Sequence, residues 1–375
     1  MSTESVEAAA EAPEPRANPD LLGHEQAEET LIGAARSGRL HHAWLLAGPK
    51  GIGKATLAHR FARWLLFGHA EEGGQAGLFG GEPEPPRGLW TDPDDPLFHR
   101  IAAGGHADLM TLQREFDERA KRLRTEIVAP AVRKVAGFLA LTAAEGGWRV
   151  VIVDGAEDMN RHAANALLKT LEEPPARTVL LLVSHAPGRL LPTIRSRCRK
   201  LALKPLDAGT VTALLGRYRP GLDDGDAAQL AALGEGSIGR ALELHDAGGL
   251  ALYHEMLSLI ATLPGTDAVR LHGIADAVSR TRAESGAHAA FDVFAELLRW
   301  WIARLIRARA SGALPPELAP GEGEIMARLA TTGSLDQWIE VWEKITRLFA
   351  RAGSVNLDRK QVLLNAFFAL ARAAS

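Results

Sequence analysis

The sequence predicts an α/β domain built on a parallel sheet, followed by an all-helical C-terminal half. Short bulky apolar runs alternate with amphipathic stretches from Asp20 to about Leu203, the pattern of strands joined by crossover helices. Beyond Leu203 the apolar residues recur only at helical spacing. A glycine-rich turn, Gly48–Lys54, sits between the first apolar run and the first helical pattern, where a phosphate-binding loop would lie.

The strand candidates are Ala43–Ala47, Asp108–Leu112, Val150–Val153, Val179–Val183 and Lys200–Leu203. Leu57, Ala58, Phe61, Ala62, Leu65 and Leu66 give Ala55–Phe67 the spacing of a helix with one buried face. Asn160 is placed to cap a helix over 160–173, and Pro174-Pro175 ends it, because proline cannot continue the hydrogen-bond ladder. Gly68–Pro96, crowded with Gly, Pro, Glu and Asp, reads as an acidic insertion forming a mobile surface loop. Met1–Pro19, rich in Ala, Glu and Pro, reads as a disordered tail and not as a signal peptide. The α/β domain is thus expected over 20–204. A small helical lid is expected over 205–249, with helices near 208–218, 227–233 and 238–245. A helical C-terminal domain is expected over 250–375, including Phe291–Ala310, Leu335–Arg351 and Leu357–Ala373, with Gly- and Pro-bearing breaks at 311–323 and 353–354.

The chain's 375 residues suit two or three domains and a full-sized core, so folding needs no metal or disulfide staple. Lys plus Arg is 43 against 46 Asp plus Glu, a net charge of −3, so any nucleic-acid contact must be local or shared with other subunits. The single cysteine, Cys198, excludes an internal disulfide and a cysteine-rich zinc site, and suits a reducing cytoplasm. No apolar run approaches the roughly 20 residues of a membrane span, so a soluble protein without a membrane partner is expected.

In the turn, Gly48, Gly51 and Gly53 let the backbone approach phosphate oxygens, and Lys54 reaches toward the terminal phosphates. The bland alternative is a glycine-rich turn. The next position should carry the Ser or Thr hydroxyl that helps hold Mg²⁺, and here it is Ala55. Thr56 is rotated by about 100° and is no simple substitute. The run Val150–Val153 ends in Asp154, which could contact Mg²⁺ through water, but Gly155 stands where a hydrolytic enzyme places a water-activating Glu. Glu157 falls on the following turn. Losing hydroxyl and base together should cost several orders of magnitude in turnover.

Further motifs carry a resemblance. Gly38–Leu46 leads into the loop, and Asn165-Ala166-Leu167-Leu168-Lys169-Thr170-Leu171-Glu172-Glu173-Pro174-Pro175 follows the acidic strand. Leu191-Pro192-Thr193-Ile194-Arg195-Ser196-Arg197-Cys198 and Gly236-Ser237-Ile238-Gly239-Arg240-Ala241 come after it. Together they resemble bacterial clamp-loader subunits of the AAA+ class, specifically the delta-prime type of DNA polymerase III. The match covers about Asp20–Leu244, and beyond it mainly Asn356–Lys360. The resemblance implies a P-loop domain, a lid and a C-terminal collar. It implies a five-subunit ring with delta and gamma/tau subunits, acting on a sliding clamp and primed DNA in replication. Arg197, in the Ser196-Arg197-Cys198 motif, would then be an arginine finger acting on a neighbour's ATP. A guanidinium, always charged and multiply donating, suits a γ-phosphate. From spacing alone, Arg195, Arg197 and Arg199 would instead be a solvated basic edge.

On this reading Ala55 and Gly155 mark a stator that hydrolyses nothing, although it would belong to a DNA-directed DNA polymerase complex. The intact loop leaves weak ATP or ADP binding open. The family's cysteine-ligated zinc module has no counterpart, so neither zinc nor another metal is expected. Ser184 occupies the family's γ-phosphate sensor position, against a plain capping hydroxyl. Arg240 would reach toward phosphate from the lid, against a surface arginine. His106 and Asp108 read as structural. Trp300 and Trp301, with Arg299, Arg304, Arg307 and Arg309, could stack on nucleic acid. The favoured reading has a tryptophan packing in the helical domain's interface with other subunits, and the arginines solvated. The rival functions are an active gamma-type ATPase using Lys54, Asp154 and Glu157 or Thr56, and an AAA+-like adaptor outside replication.

Overall fold

The computed structural model describes residues 12–68, 88–118, 122–145, 147–280, 290–355 and 357–375. Most of the expected insertion, 69–87, and most of the expected tail, 1–11, lie outside the described residues. The chain forms two compact units: one of 1–220 with 236–239, the other of 221–235 with 240–375. The segment expected as a lid, 205–249, is therefore divided between them.

In the first unit, α1 (Glu25–Arg36) is followed by β1 (Ala43–Ala47), α2 (Lys54–Leu66), α3 (Pro96–Ala102) and β2 (Leu109–Leu112). A two-stranded hairpin, β3 (Phe116–Asp117) and β4 (Arg122–Leu123), then leads to α4 (Ala129–Ala140) and β5 (Arg149–Asp154). After these come α5 (Arg161–Glu172), β6 (Thr178–Ser184), α6 (Pro192–Arg195), β7 (Arg199–Ala202) and α7 (Ala208–Tyr218). The five strands β2-β5-β6-β1-β7 form one sheet, in that order, and every pairing is parallel.

Alternation along the strands decides which side chain meets which helix. Leu45, Val151, Val153, Leu180 and Leu182 face a core shared with α4 and α5, through Val132, Val135, Leu167 and Leu171. Trp44, Leu46, Val150, Ile152, Leu181 and Val183 face α1 and α2, through Leu31, Leu57, Phe61 and Leu65. With both faces covered, the central strands β1, β5 and β6 read as continuous apolar runs, which is why they were visible in the sequence. Asn160 caps α5, accepting the Ala163 N–H at 3.0 Å.

Two expected loops are held more firmly than their composition suggests. Arg63, fully buried, donates to the carbonyls of Arg16 and Asn18 at 2.8 and 2.7 Å, and Arg60 donates to Pro19. Residues 16–19 are therefore not a free tail. Leu89 is buried, and Thr91 Oγ1 accepts from Arg63 Nε at 3.3 Å, so the end of the expected loop is anchored too. Composition misleads here because the anchor is a distant arginine on α2.

The second unit is helical: α8 (Asp224–Leu233), most of α9 (Ile238–Asp246), α10 (Gly249–Ala261), α11 (Ala268–Arg280), α12 (Ala290–Ser311), α13 (Glu322–Thr331), α14 (Leu335–Val355) and α15 (Arg359–Ala373). Packing centres on α12, which contacts α10, α11, α13 and α14. Among the described residues no helix is long and apolar enough to cross a membrane.

Two arginines of α12, Arg304 and Arg309, correct the expectation of a solvated basic face, whereas Arg307 is exposed as expected. Arg304 is buried and pairs with buried Glu322 at 2.6 Å. The same carboxylate oxygen accepts from Tyr253 Oη at 2.7 Å and Trp301 Nε1 at 3.1 Å. Arg309 donates to the carbonyls of Ala330, Thr332 and Gly333 at the C-terminal end of α13. Sequence periodicity cannot reveal this, because the carboxylate that draws Arg304 inward lies on another helix.

Removing one partner of a buried pair leaves an uncompensated charge and costs about 3–5 kcal/mol. Glu322→Ala is expected to destabilise the helical unit by that order, and Tyr253→Phe by about 2 kcal/mol for one hydrogen bond to a charged acceptor. Urea unfolding of the full chain followed by tryptophan fluorescence checks this, since Trp300 and Trp301 flank the network.

Candidate functional site

Parallel pairing gathers the candidate residues at one end of the sheet. Ala47 at the end of β1 is in register with Ser184 at the end of β6, and Val183 with Asp154 at the end of β5. The loop Gly48–Gly53 continues directly from β1 into α2. Its glycines are required by the backbone. A Cβ on Gly48 would meet the Leu203 carbonyl oxygen at 2.5 Å, and Gly53 caps α2 with φ +98°.

The loop is tied down carbonyl by carbonyl. Lys54 Nζ donates to Pro49 O, and Ser237 Oγ donates to Lys50 O at 2.8 Å. The Gly239 N–H donates to Gly51 O at 2.9 Å, and His24 Nε2 donates to Ile52 O at 2.6 Å. Gly239 approaches so closely that a Cβ there would lie 2.9 Å from Gly51 Cα. Ser237 and Gly239 belong to a motif the sequence singled out, but their contact with the loop did not show there. His24 was missed altogether, since a lone histidine before a helix carries no signal of what it touches.

The cradle of glycines fits phosphate oxygens, with Lys54 as the cation beside them. It does not fit a hydrolytic Mg²⁺ site. Ala55 has no hydroxyl, and Gly155 has φ +73°, so a glutamate there would have to adopt a strained left-handed backbone. Glu157 is fully buried and committed elsewhere. Its Oε1 accepts from the N–H groups of His185 and Ala186 at 2.8 and 3.2 Å and lies 2.5 Å from His185 Nδ1. Burial opposes its ionisation, but these donors and the Ser184 hydroxyl outweigh it and hold the carboxyl below its usual range. It shapes the turn after β6 and is not placed as a free base.

Ser184 is fully buried, and its Oγ accepts the Ala186 N–H at 3.2 Å, as the capping alternative describes. Burial raises the Asp154 carboxyl above its usual range despite Lys54 nearby. Asp154 also lines an open cavity of about 450 Å³ with His59, His106, Thr111, Gln113 and Arg16. His106 and Asp108 are structural, as read from sequence. His106 Nδ1 accepts the Asp108 N–H at 3.0 Å, and the Asp108 carboxylate accepts from Ala144 and Glu145. Among the described residues no group of three or more His, Cys, Asp or Glu is placed to hold a metal ion.

Arg197 lies at the other end of the sheet. It precedes β7, whose first residue, Arg199, is in register with Trp44 near the start of β1. The phosphate loop begins four residues after Trp44, about 13 Å along the strand. The guanidinium is half-exposed, with Nη2 2.7 Å from Glu172 Oε1 and Nη1 donating to Thr193 O at 3.1 Å. Ser196 Oγ bonds to Thr193 O. Cys198 packs against the α4–α5 core, and burial pushes its thiol up to about 12, so it is an inert packing residue. Arg199 stacks over Trp44 at 4.8 Å. In the helical unit, Arg240 pairs with Glu235 at 3.2 Å and Glu296 at 3.0 Å.

Burial pushes the Lys54 ammonium down to about 8 from 10.5. Between those values the unfolded chain binds a proton that the folded one does not, so this group makes stability rise with pH from about 8 to 10.5. Lys54→Met is expected to flatten that rise in the urea midpoint measured against pH. In the wild-type chain, any phosphate affinity that depends on the ammonium should fall as pH rises through about 8.

Residues 94–207 match the family model described as DNA polymerase III, delta subunit. The delta-prime subunit of DNA polymerase III from Pseudomonas aeruginosa is 40% identical over 207 residues, 55% of this chain and 56% of that one. The delta-prime subunit from Escherichia coli is 35% identical over 220 residues, 58% of each. The tau/gamma subunit from Haemophilus influenzae is 30% identical over 236 residues, 62% of this chain and 31% of that one. A gamma-subunit-related protein of Thermotoga maritima aligns over 94% of this chain at 18% identity, with a TM-score of 0.42. The match spans just over half the length of the delta-prime relatives. More than half of this chain is thus similar in sequence to the delta-prime subunits of DNA polymerase III, and residues 94–207 match that polymerase's delta-subunit family model.

Proposed function

We propose that the chain is a non-hydrolysing, delta-prime-type subunit of a DNA polymerase III clamp loader, and that it gives Arg197 to the nucleotide site of a neighbouring subunit. The observation that carries this reading is the position of Arg197. It lies at the end of the sheet opposite the chain's own phosphate loop, with its guanidinium half-exposed. An arginine side chain cannot span about 13 Å of strand, so any phosphate it serves belongs to another molecule. A guanidinium suits the charge that develops on a transferred γ-phosphate.

The chain's own loop supports a stator. Its carbonyls are satisfied by Lys54, Ser237, Gly239 and His24, so it holds its shape through the chain's own contacts. Ala55 and the left-handed Gly155 remove the Mg²⁺ hydroxyl and the base position, and Glu157 is spent on the 185–186 turn. ATP or ADP held at Gly48, Gly51, Gly53 and Lys54 would be weakly bound and not turned over. A sensor role for Ser184, or a phosphate contact by Arg240, would require each to exchange its present partners. The partners in this reading are delta and gamma/tau subunits in a five-subunit ring, with sliding clamp and primed DNA reached through the complex.

The test is ATP turnover and clamp loading by the reconstituted clamp loader with clamp and primed DNA. Fingers supplied in trans are worth about 10³–10⁵ in rate. Arg197→Ala should therefore assemble normally, silence the neighbouring site and lower both total turnover and loading. Unchanged turnover in the assembled variant overturns the finger. Steady turnover by the purified chain alone, abolished by Lys54→Ala, overturns the stator in favour of a gamma-type ATPase.

A further inference from the structure

We propose that Glu172 is a positioning residue for the Arg197 guanidinium, a role that rests on the reading of Arg197 as a finger acting in trans. Glu172 ends α5, and its Oε1 lies 2.7 Å from Nη2 of Arg197. The Thr193 carbonyl takes a second hydrogen bond, from Nη1, at 3.1 Å. Two fixed acceptors on two different terminal nitrogens set both the direction and the plane of the fork. A guanidinium has five N–H donors, and these contacts engage two, leaving the rest to face an incoming oxyanion. Side-chain exposures of 36% for Arg197 and 49% for Glu172 keep that face open.

The acceptors stand on a firm base. Leu171, next to Glu172, is buried in the sheet's core, and its carbonyl is bonded by His42 Nε2 at 2.9 Å. Ile194 is fully buried in the same core, and Cys198 packs against it, so the backbone on both sides of Arg197 is anchored. An unheld arginine samples many rotamers, and freezing one costs about 2 kcal/mol. Here two contacts bias it toward one orientation before a neighbour's triphosphate arrives. Pre-set geometry of this kind acts on turnover, because a small misplacement of a charged group weakens its hold on the transition state.

The experiment compares Glu172→Ala, Glu172→Gln, Arg197→Ala and the double variant Glu172→Ala/Arg197→Ala in the reconstituted clamp loader with clamp and primed DNA. The readout is the Arg197-dependent part of ATP turnover, the difference between wild-type chain and Arg197→Ala. Glu172→Ala should lower that part about tenfold through kcat, with KM for ATP unchanged. Glu172→Gln keeps an acceptor oxygen for Nη2 and should stay within about threefold of wild type. The double variant should match Arg197→Ala alone. Unchanged turnover in Glu172→Ala overturns the positioning role. So does a raised turnover, which would make Glu172 a latch, and so does a further loss on the Arg197→Ala background. If Arg197→Ala is itself without effect in an assembled complex, the finger reading fails, a result distinct from a normal Glu172→Ala beside a defective Arg197→Ala.

Discussion

The parallel pairing of β1, with β6 on one side and β7 on the other, is the constraint on which the rest of the first unit depends. Parallel strands all point the same way, so residues that follow them gather at one end and residues that precede them at the other. The phosphate loop, Ser184 and Asp154 fall at the first end. Arg197, ahead of β7, and Glu172, ahead of β6, fall at the second. The first unit thus carries a phosphate cradle and an arginine edge at opposite ends of its sheet.

Within the cradle, hydrogen bonds from the chain itself occupy the carbonyls of residues 49–52. These bonds fix the loop's shape, and the one to Ile52, a buried residue, also spares a carbonyl from going unpaired. Three of the four donors come from outside the loop: the Ser237 hydroxyl, the Gly239 N–H and the His24 imidazole. Burial disfavours the charged form of His24, which suits a neutral imidazole whose Nε2–H faces a carbonyl. What the site lacks for Mg²⁺ chemistry is the hydroxyl missing at Ala55 and the carboxylate missing at the left-handed Gly155.

Three buried arginines are each met by oxygen acceptors. Arg63 is buried, but carbonyls of residues 16 and 18 surround it. Arg149 is buried beside Asp108, with the Thr142 carbonyl at 2.5 Å. Arg304 is buried against Glu322, with Tyr253 and Trp301 donating to the same carboxylate oxygen. Each guanidinium meets carbonyl or carboxylate oxygens in place of the water it lost, although Arg149 Nε makes only a 3.5 Å ion-pair contact with Asp108 and no hydrogen bond. The apparent basic face of α12 is in large part an internal brace.

Much of the fold was legible in the sequence. The three central strands stood out because a sheet covered on both faces demands unbroken runs such as Val179–Val183, and α5 stood out because Asn160 and Pro174-Pro175 mark its ends chemically. The phosphate loop was legible for the same kind of reason: only glycine tolerates the approach at position 48 and the φ at 53. The sequence by itself also determined what the site lacks, since Ala55 and Gly155 remove atoms that no fold can restore. What only the tertiary structure decided is which distant groups meet. That Glu157 serves the 185–186 turn, that His24 closes the loop, that Arg304 turns inward and that Glu172 holds Arg197 all depend on groups between 18 and 29 residues apart. Local propensity and periodicity report on neighbours a few residues away, so pairings at that separation become visible only when strand register and helix packing are set.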